Sequence, residues 1–127
     1  MKKYSKGVFF MKFWMKEISY SQVEDKIQSG YKELFMIGQF RIIHAHKIVN
    51  GNDRTQDIQS HFILDTKTGY NYEISLGLAY NLLAAFFCDG DRRSILSSIT
   101  TWVKYMNGKN RLATKKTDIS IVLSDVV

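Results

Sequence analysis

Two histidines separated by one residue, His44 and His46, have the residue type and the spacing of a metal site. Residues i and i+2 of a strand lie on the same face, so two such imidazoles can reach one Zn²⁺ ion. A third histidine, His61, belongs to the next predicted strand. Pairing the apolar residues of the two strands face to face puts His61 on the other side of the sheet. We therefore predict no metal site, and the pair His44 and His46 is the weak alternative.

The basic residues of segment 92–116 form the second candidate site. This segment contains lysines and arginines but no aspartate or glutamate. A run of cations without acids is typical of a surface that contacts nucleic-acid phosphates, and it also occurs on faces that only keep a protein soluble. The predicted phosphate contacts are Arg92, Arg93, Lys104, Lys109, Arg111, Lys115 and Lys116, and the predicted base-stacking residue is Tyr105.

Among these cations, Arg92 and Arg93 are the ones that a purely structural role explains least well. They fall in the first turn of a predicted helix, where the helix dipole disfavours positive charge. The backbone N–H groups of the same turn attract anions, so two arginines there suit a phosphate. The neighbouring Asp89 and Asp91 offer a local compensation instead.

Length and composition limit the classes to which the chain can belong. It has 127 residues, of which 45% are hydrophobic and 24% charged, values that are ordinary for one soluble domain. With 18 basic and 12 acidic residues the net charge is +6, which excludes an acidic surface that imitates DNA. The uncharged run 74–88 is shorter than the roughly 18 residues of a membrane span. We predict one domain over residues 1–127, a flexible basic tail at 1–6, and no membrane partner.

A single cysteine, Cys88, excludes an intrachain disulfide and favours a reducing compartment, most simply the cytoplasm. Its apolar neighbours predict a buried and inert thiol. The sequence contains no phosphate-binding glycine loop, dinucleotide fingerprint, serine-nucleophile elbow or CxxC pair. We therefore predict no cofactor, and binding is favoured over catalysis.

Residues 3–20 interleave six aromatic side chains with lysines. Such a segment stacks bases, forms an ordinary core strand, or presents a strand edge to another protein or to a second copy of the chain. The last of these supports an alternative function. The protein would then be an intracellular inhibitor or adaptor, of the phage or mobile-element kind, that acts on a protein or nucleoprotein enzyme, and it would form a homodimer if the strand edge paired with itself.

Hydrophobic periodicity predicts an α+β fold with an antiparallel sheet of four or five strands and the element order β-α-β-β-β-α-α-β. Segment 31–49 is predicted as one long strand, or as two that are broken at Gly38, with its even-numbered residues facing the core. The other predicted strands are 7–15, 58–65, 70–74 and 119–123, and the predicted helices are 22–29, 76–88 and 91–107.

Polar residues at the predicted helix starts fix where the helices begin. Ser21 and Glu24 have the spacing of a capping box for the first helix. Ser75 is the predicted N-cap of the second helix and Asp91 that of the third. The second helix is apolar nearly all round, which predicts that it is the buried central helix.

Overall fold

The computed structural model describes residues 12–108 and 114–120, and these ranges form one antiparallel sheet flanked by three α-helices. The strands lie in the order β2-β3-β4-β5-β1-β6. A π-helical turn, Ala85–Asp89, extends α2. The elements are β1 (Trp14–Ile18), α1 (Tyr20–Lys26), β2 (Tyr31–Ile37), β3 (Phe40–Asn50), β4 (Thr55–Asp65), β5 (Asn71–Ile74), α2 (Leu76–Ala84), α3 (Arg92–Gly108) and β6 (Thr117–Asp118).

The predicted α+β class and the antiparallel sheet are confirmed, with one strand more than expected. The additional strand arises because segment 31–49 breaks at Gly38. Gly38 has a φ of +55°, a conformation that glycine adopts without strain, and it forms a tight turn with Gln39. No helix in the described part of the chain is both long enough and apolar enough to cross a membrane.

Both faces of the sheet are covered, but unequally. Helices α2 and α3 pack on one face and enclose the main core, in which Trp102, Ile99 and Leu82 are fully or almost fully buried. The short α1 inserts Val23 on the other face, over Ile43 and neighbouring residues. The sheet centre is therefore apolar on both sides, and its strands have no clean alternation of polar and apolar residues.

The expectation that even-numbered residues of 31–49 face the core is correct for Phe40 and Ile42 and wrong for β2. The tight turn pairs Ile37 with Phe40, so odd-numbered residues of β2 share a face with even-numbered residues of β3. Phe35 and Ile37 are therefore buried, whereas Met36 is exposed. An irregularity between Glu33 and Phe35 shifts the register once more towards the start of β2.

Several predicted boundaries are wrong by a few residues. The first strand begins at Trp14 and continues to Ile18; residues 7–11 of the predicted 7–15 lie outside the described ranges. The predicted cap Ser21 lies inside helix α1. The helix is capped instead by Ser19, which has the extended backbone of a cap and forms a capping box with Gln22. The last strand lies at Thr117–Asp118; residues 121–123 of the predicted strand are outside the described ranges.

The two later helices lie close to their predicted positions, and their predicted caps are confirmed. The hydroxyl of Ser75 accepts from the backbone N–H of Leu78, and a carboxylate oxygen of Asp91 accepts from that of Ser94. The prediction that α2 and its extension are buried all round is wrong, however, because one side faces solvent. Cys88, predicted to be buried, is exposed as well.

Candidate nucleic-acid interface

The basic residues from the two ends of the chain meet at the β1–β6 edge of the sheet. Strand β6 pairs antiparallel with β1, with Trp14 opposite Asp118. The backbone N–H of Ile119 donates to the carbonyl of Phe13 at 3.0 Å, so the pairing continues beyond the two strands. Residues 13–16 therefore lie beside residues 116–119, with Lys12 and Lys115 next to the paired segments.

We name this cluster the basic edge, and it consists of Lys12, Lys16, Lys115, Lys116 and the ring of Trp14. The Nζ atom of Lys116 lies 4.5 Å from the centroid of the Trp14 ring, which is cation–π distance. Lys12, Lys115 and Lys116 are exposed, while Lys16 and Trp14 are half-buried. The basic edge thus combines four cationic side chains with an aromatic ring.

Besides Glu17, which follows Lys16 in β1, and Glu73, which is the β5 partner of Lys16, this region contains Asp118 opposite Trp14. Asp118 accepts a hydrogen bond from the backbone N–H of Ser120 at 2.8 Å. The pKa of Asp118 is lowered, first by hydrogen bonding from Ser120 and to a lesser degree by the charge of Lys12. Asp118 is therefore ionised at neutral pH and is directed to Ser120 by these bonds.

The buried hydroxyl of Ser75 holds the basic edge against the start of α2. It donates to the carbonyl of Lys12 at 2.7 Å and accepts from the backbone N–H groups of Trp14 and Leu78, both at 3.2 Å. The backbone N–H of Ser75 also donates to the carbonyl of Trp14 at 3.1 Å. One helix cap therefore fixes the backbone on which Lys12 and Trp14 are carried.

The structure divides the predicted phosphate contacts into two groups. Arg92 lies over the Phe86 ring, 4.3 Å from its centroid, and Phe86 stacks on Phe35 of β2. The other end of α3 lies near β5, where Asn107 accepts a hydrogen bond from Tyr72. Because 17 residues separate the ends of this helix, they are about 25 Å apart.

The remaining predicted contacts are placed as follows. Arg93, beside Arg92, and Lys104, towards the end of α3, are exposed. Tyr105, the predicted stacking residue, is half-buried and packs against the main core. Lys109 and Arg111 lie outside the described residues. Sequence reasoning named Lys115 and Lys116 but missed Lys12, Trp14 and Lys16 as their neighbours. The signal was present in the two basic blocks at opposite ends of the chain.

The histidines are arranged differently from the prediction. His44 lies directly opposite His61, and the two rings stack with centroids 4.5 Å apart and an interplanar angle of 8°. The predicted position of His61, on the other side of the sheet from His44, is wrong. Ile42 pairs with Ile63, whereas the prediction requires Phe62 on the same face as Ile42. Because β4 has apolar residues on both faces, the apolar pattern is compatible with either register of β4 against β3.

Ring nitrogens of His44 and His46 have side-chain partners. Nε2 of His44 donates to the side-chain oxygen of Gln59, and Nδ1 of His46 lies 3.2 Å from a carboxylate oxygen of Asp57. Within residues 12–108 and 114–120, no group of three or more His, Cys, Asp or Glu side chains is placed to hold a metal ion. The pair His44 and His46 therefore gains no further ligand there.

The buried His61 makes the stability of the fold sensitive to acid. Its pKa is lowered from 6.5 to about 4, mainly because burial disfavours the imidazolium and also because His44 is adjacent. Below pH 6.5 the unfolded chain takes up a proton at this site more readily than the folded chain. The contribution of His61 to the free energy of unfolding is therefore fully present above pH 6.5 and is lost as the pH falls towards 4.

We expect the free energy of unfolding to fall by about 2 kcal/mol between pH 7 and pH 4.5 through His61, measured by urea denaturation. The His61→Phe variant should lose this part of the pH dependence while keeping an aromatic ring beside His44. His46→Phe, at a half-buried position on the same face, is the control and should retain it. An unchanged pH dependence in His61→Phe would contradict the assignment.

Comparisons of the chain with protein-family models, with curated proteins and with solved structures found no match.

Proposed function

We propose that the protein is a non-enzymatic binding protein that contacts nucleic-acid phosphates through the basic residues of 92–116, joined at the basic edge by Lys12 and Lys16. The observation that carries the proposal is the proximity of Lys12 and Lys16, from the first basic block, to Lys115 and Lys116, from the second, beside Trp14. Cations scattered only for solubility have no need to gather at one strand edge beside an aromatic ring.

The geometry of the basic edge favours a single strand over a duplex. Trp14 and Lys16 alternate along β1 and therefore project to the same side of the strand, and Lys12 precedes Trp14 by two residues. Alternating cations and a ring follow an extended backbone and can stack an unpaired base. Segment 109–113 connects α3 to Thr114, so the predicted contacts Lys109 and Arg111 belong to the chain that leads into the same edge. Arg92 and Arg93, at the other end of α3, would contact a more distant part of a bound strand.

The test is fluorescence anisotropy with labelled single- and double-stranded DNA and RNA, at low and at physiological salt. We expect micromolar binding of single strands, and a plot of log affinity against log salt with a slope of about −0.7 for each phosphate neutralised. A preference for duplexes would contradict the single-strand assignment. The absence of binding at low salt would overturn the proposal.

The alternative function is an intracellular inhibitor or adaptor that acts on a protein or nucleoprotein enzyme. The observation that favours it is the apolar side of α2 and its extension, where Leu76, Tyr80 and Phe87 are exposed. The two functions differ in their response to salt, because an apolar interface weakens little as salt rises while phosphate contacts weaken steeply. For either function we propose a cytoplasmic location, since an exposed cysteine such as Cys88 suits a reducing compartment.

A further inference from the structure

Helix α2 and its π-helical extension present an apolar stripe to solvent. Leu76, Tyr80 and Phe87 are 51%, 54% and 67% exposed, although the opposite side of the helix is buried in the main core. Leu83 lies at the border and packs partly against the core. We name these four residues the α2 stripe.

One ring of the stripe, that of Phe87, is supported by neighbouring aromatic rings. Phe87 makes an edge contact with Phe86, with ring centroids 5.0 Å apart, and Phe86 stacks on Phe35 of β2 at 4.2 Å. A ring fixed in this way loses little conformational entropy when another surface covers it. No charged residue occurs between Ile74 and Cys88, so covering the stripe desolvates no ionised side chain within it.

The spacing of the stripe is that of a coiled-coil seam. Its members are separated by four, three and four residues, the alternation of d and a positions in a heptad repeat. The first three lie in α2, and Phe87 lies in the π-helical turn that extends it. This spacing is the same in both directions along the helix. Two antiparallel copies of α2 would therefore set Leu76 against Phe87 of the second copy and Tyr80 against its Leu83.

The groups at the two ends of the stripe complement each other in the same antiparallel arrangement. The N-terminal end carries the positive end of the helix dipole, and the backbone of Lys12 is bound there through Ser75. The exposed Asp89 and Asp91 follow the C-terminal end, and Arg92 is turned onto the Phe86 ring. Antiparallel pairing brings the negative dipole end of each helix to the positive dipole end of the other, whereas parallel pairing places like ends together. Residues 89–93 contain two aspartates and two arginines and therefore add no net charge to this arrangement.

The available area sets the expected affinity. Fully buried aromatic side chains contribute roughly 150–250 Å² each, and those of the stripe are about half exposed. Two copies would bury on the order of 1,000 Å² in total, which lies at the lower end of specific interfaces. Such an area fits a reversible dimer with a dissociation constant in the micromolar range.

We infer that the protein forms a two-fold symmetric homodimer in which the α2 stripes of two copies pack antiparallel. This inference does not depend on nucleic-acid binding. Its test is sedimentation velocity from about 1 µM to about 1 mM, a range that brackets the affinity expected for this area. The wild-type chain should shift from monomer to dimer across that range.

Variants locate the interface. Phe87→Glu and Tyr80→Glu place charges in the seam, so each should remain monomeric throughout the range while keeping the wild-type circular dichroism spectrum. Tyr20→Glu, at an exposed tyrosine of α1, is the matched control and should dimerise normally. A dimer that persists in both seam variants would overturn the inference.

A thiol experiment tests the direction of packing. In the antiparallel dimer the two Cys88 thiols are about 20 Å apart along the helices, so oxidation should not join wild-type copies across this interface. The Leu76→Cys variant places a thiol beside Cys88 of the second copy and should give a covalent dimer. Covalent wild-type dimers joined through Cys88 would overturn antiparallel packing. If the wild-type chain stays monomeric and dimerises only after removal of residues 1–11, the inference would be overturned. In that case residues 1–11, and not a second copy, would cover the α2 stripe.

Discussion

Replacing Lys12, Lys115 and Lys116 together by glutamine is expected to weaken binding of single-stranded nucleic acid by about 100-fold at physiological salt. The three ammonium groups are exposed and lie on two segments that the β1–β6 pairing brings side by side. Each lost phosphate contact should lower the slope of log affinity against log salt by about 0.7, so the total change should be about 2. Anisotropy titrations at several salt concentrations measure both quantities.

A second triple variant separates local contacts from net charge. Lys32, Arg54 and Lys67 are also exposed, and Lys32 lies on β2 at the opposite edge of the sheet. Their replacement by glutamine changes the net charge by the same amount but should reduce affinity less than about threefold, because long-range fields are screened at physiological salt. Equal losses in the two triple variants would mean that affinity follows net charge alone, and the basic edge would then not be the site.

The parts of the fold that were predictable from the sequence are those determined locally. Ser75 and Asp91 cap the helices that were predicted from them, because a side-chain oxygen at the start of an apolar 3.6-residue pattern satisfies the first N–H groups. Gly38 breaks segment 31–49 because it adopts a positive φ without strain. In each of these cases the information lies within a few residues of the feature.

The strand registers could not be predicted in the same way. Phe62 and Ile63 are both fully buried, one on each face of β4, because helices cover both sides of the sheet. The alternation of polar and apolar residues that normally fixes a register is therefore absent at the sheet centre. This ambiguity led to the wrong placement of His61 relative to His44.

The candidate site depends on a contact between distant parts of the chain. The sequence shows two basic blocks, but only the pairing of β1 with β6 places Lys116 over Trp14. Pairing between segments about 100 residues apart has no local signature, since loop closure and sheet order decide it. The sequence therefore identifies basic residues of the candidate site but does not show that residues from the two blocks lie next to each other.

The Ser75→Ala variant is expected to lower the free energy of unfolding by about 3 kcal/mol. The variant removes the N-cap of α2 and leaves the N–H of Trp14 and the carbonyl of Lys12 without their partner. Ser75 is 5% exposed, so water replaces these bonds poorly. Urea denaturation with an unchanged m-value measures the loss.

The matched control is Ser19→Ala at the exposed N-cap of α1. Its hydroxyl also accepts from the backbone N–H of the third helical residue, Gln22, but water can satisfy the freed groups, so the expected loss is about 1 kcal/mol. Equal losses at the two serines would show that Ser75 acts only as a helix cap. A larger loss at Ser75, together with weaker binding of single strands under conditions where the variant is folded, would show that its bonds to residues 12–14 hold the basic edge in its binding geometry.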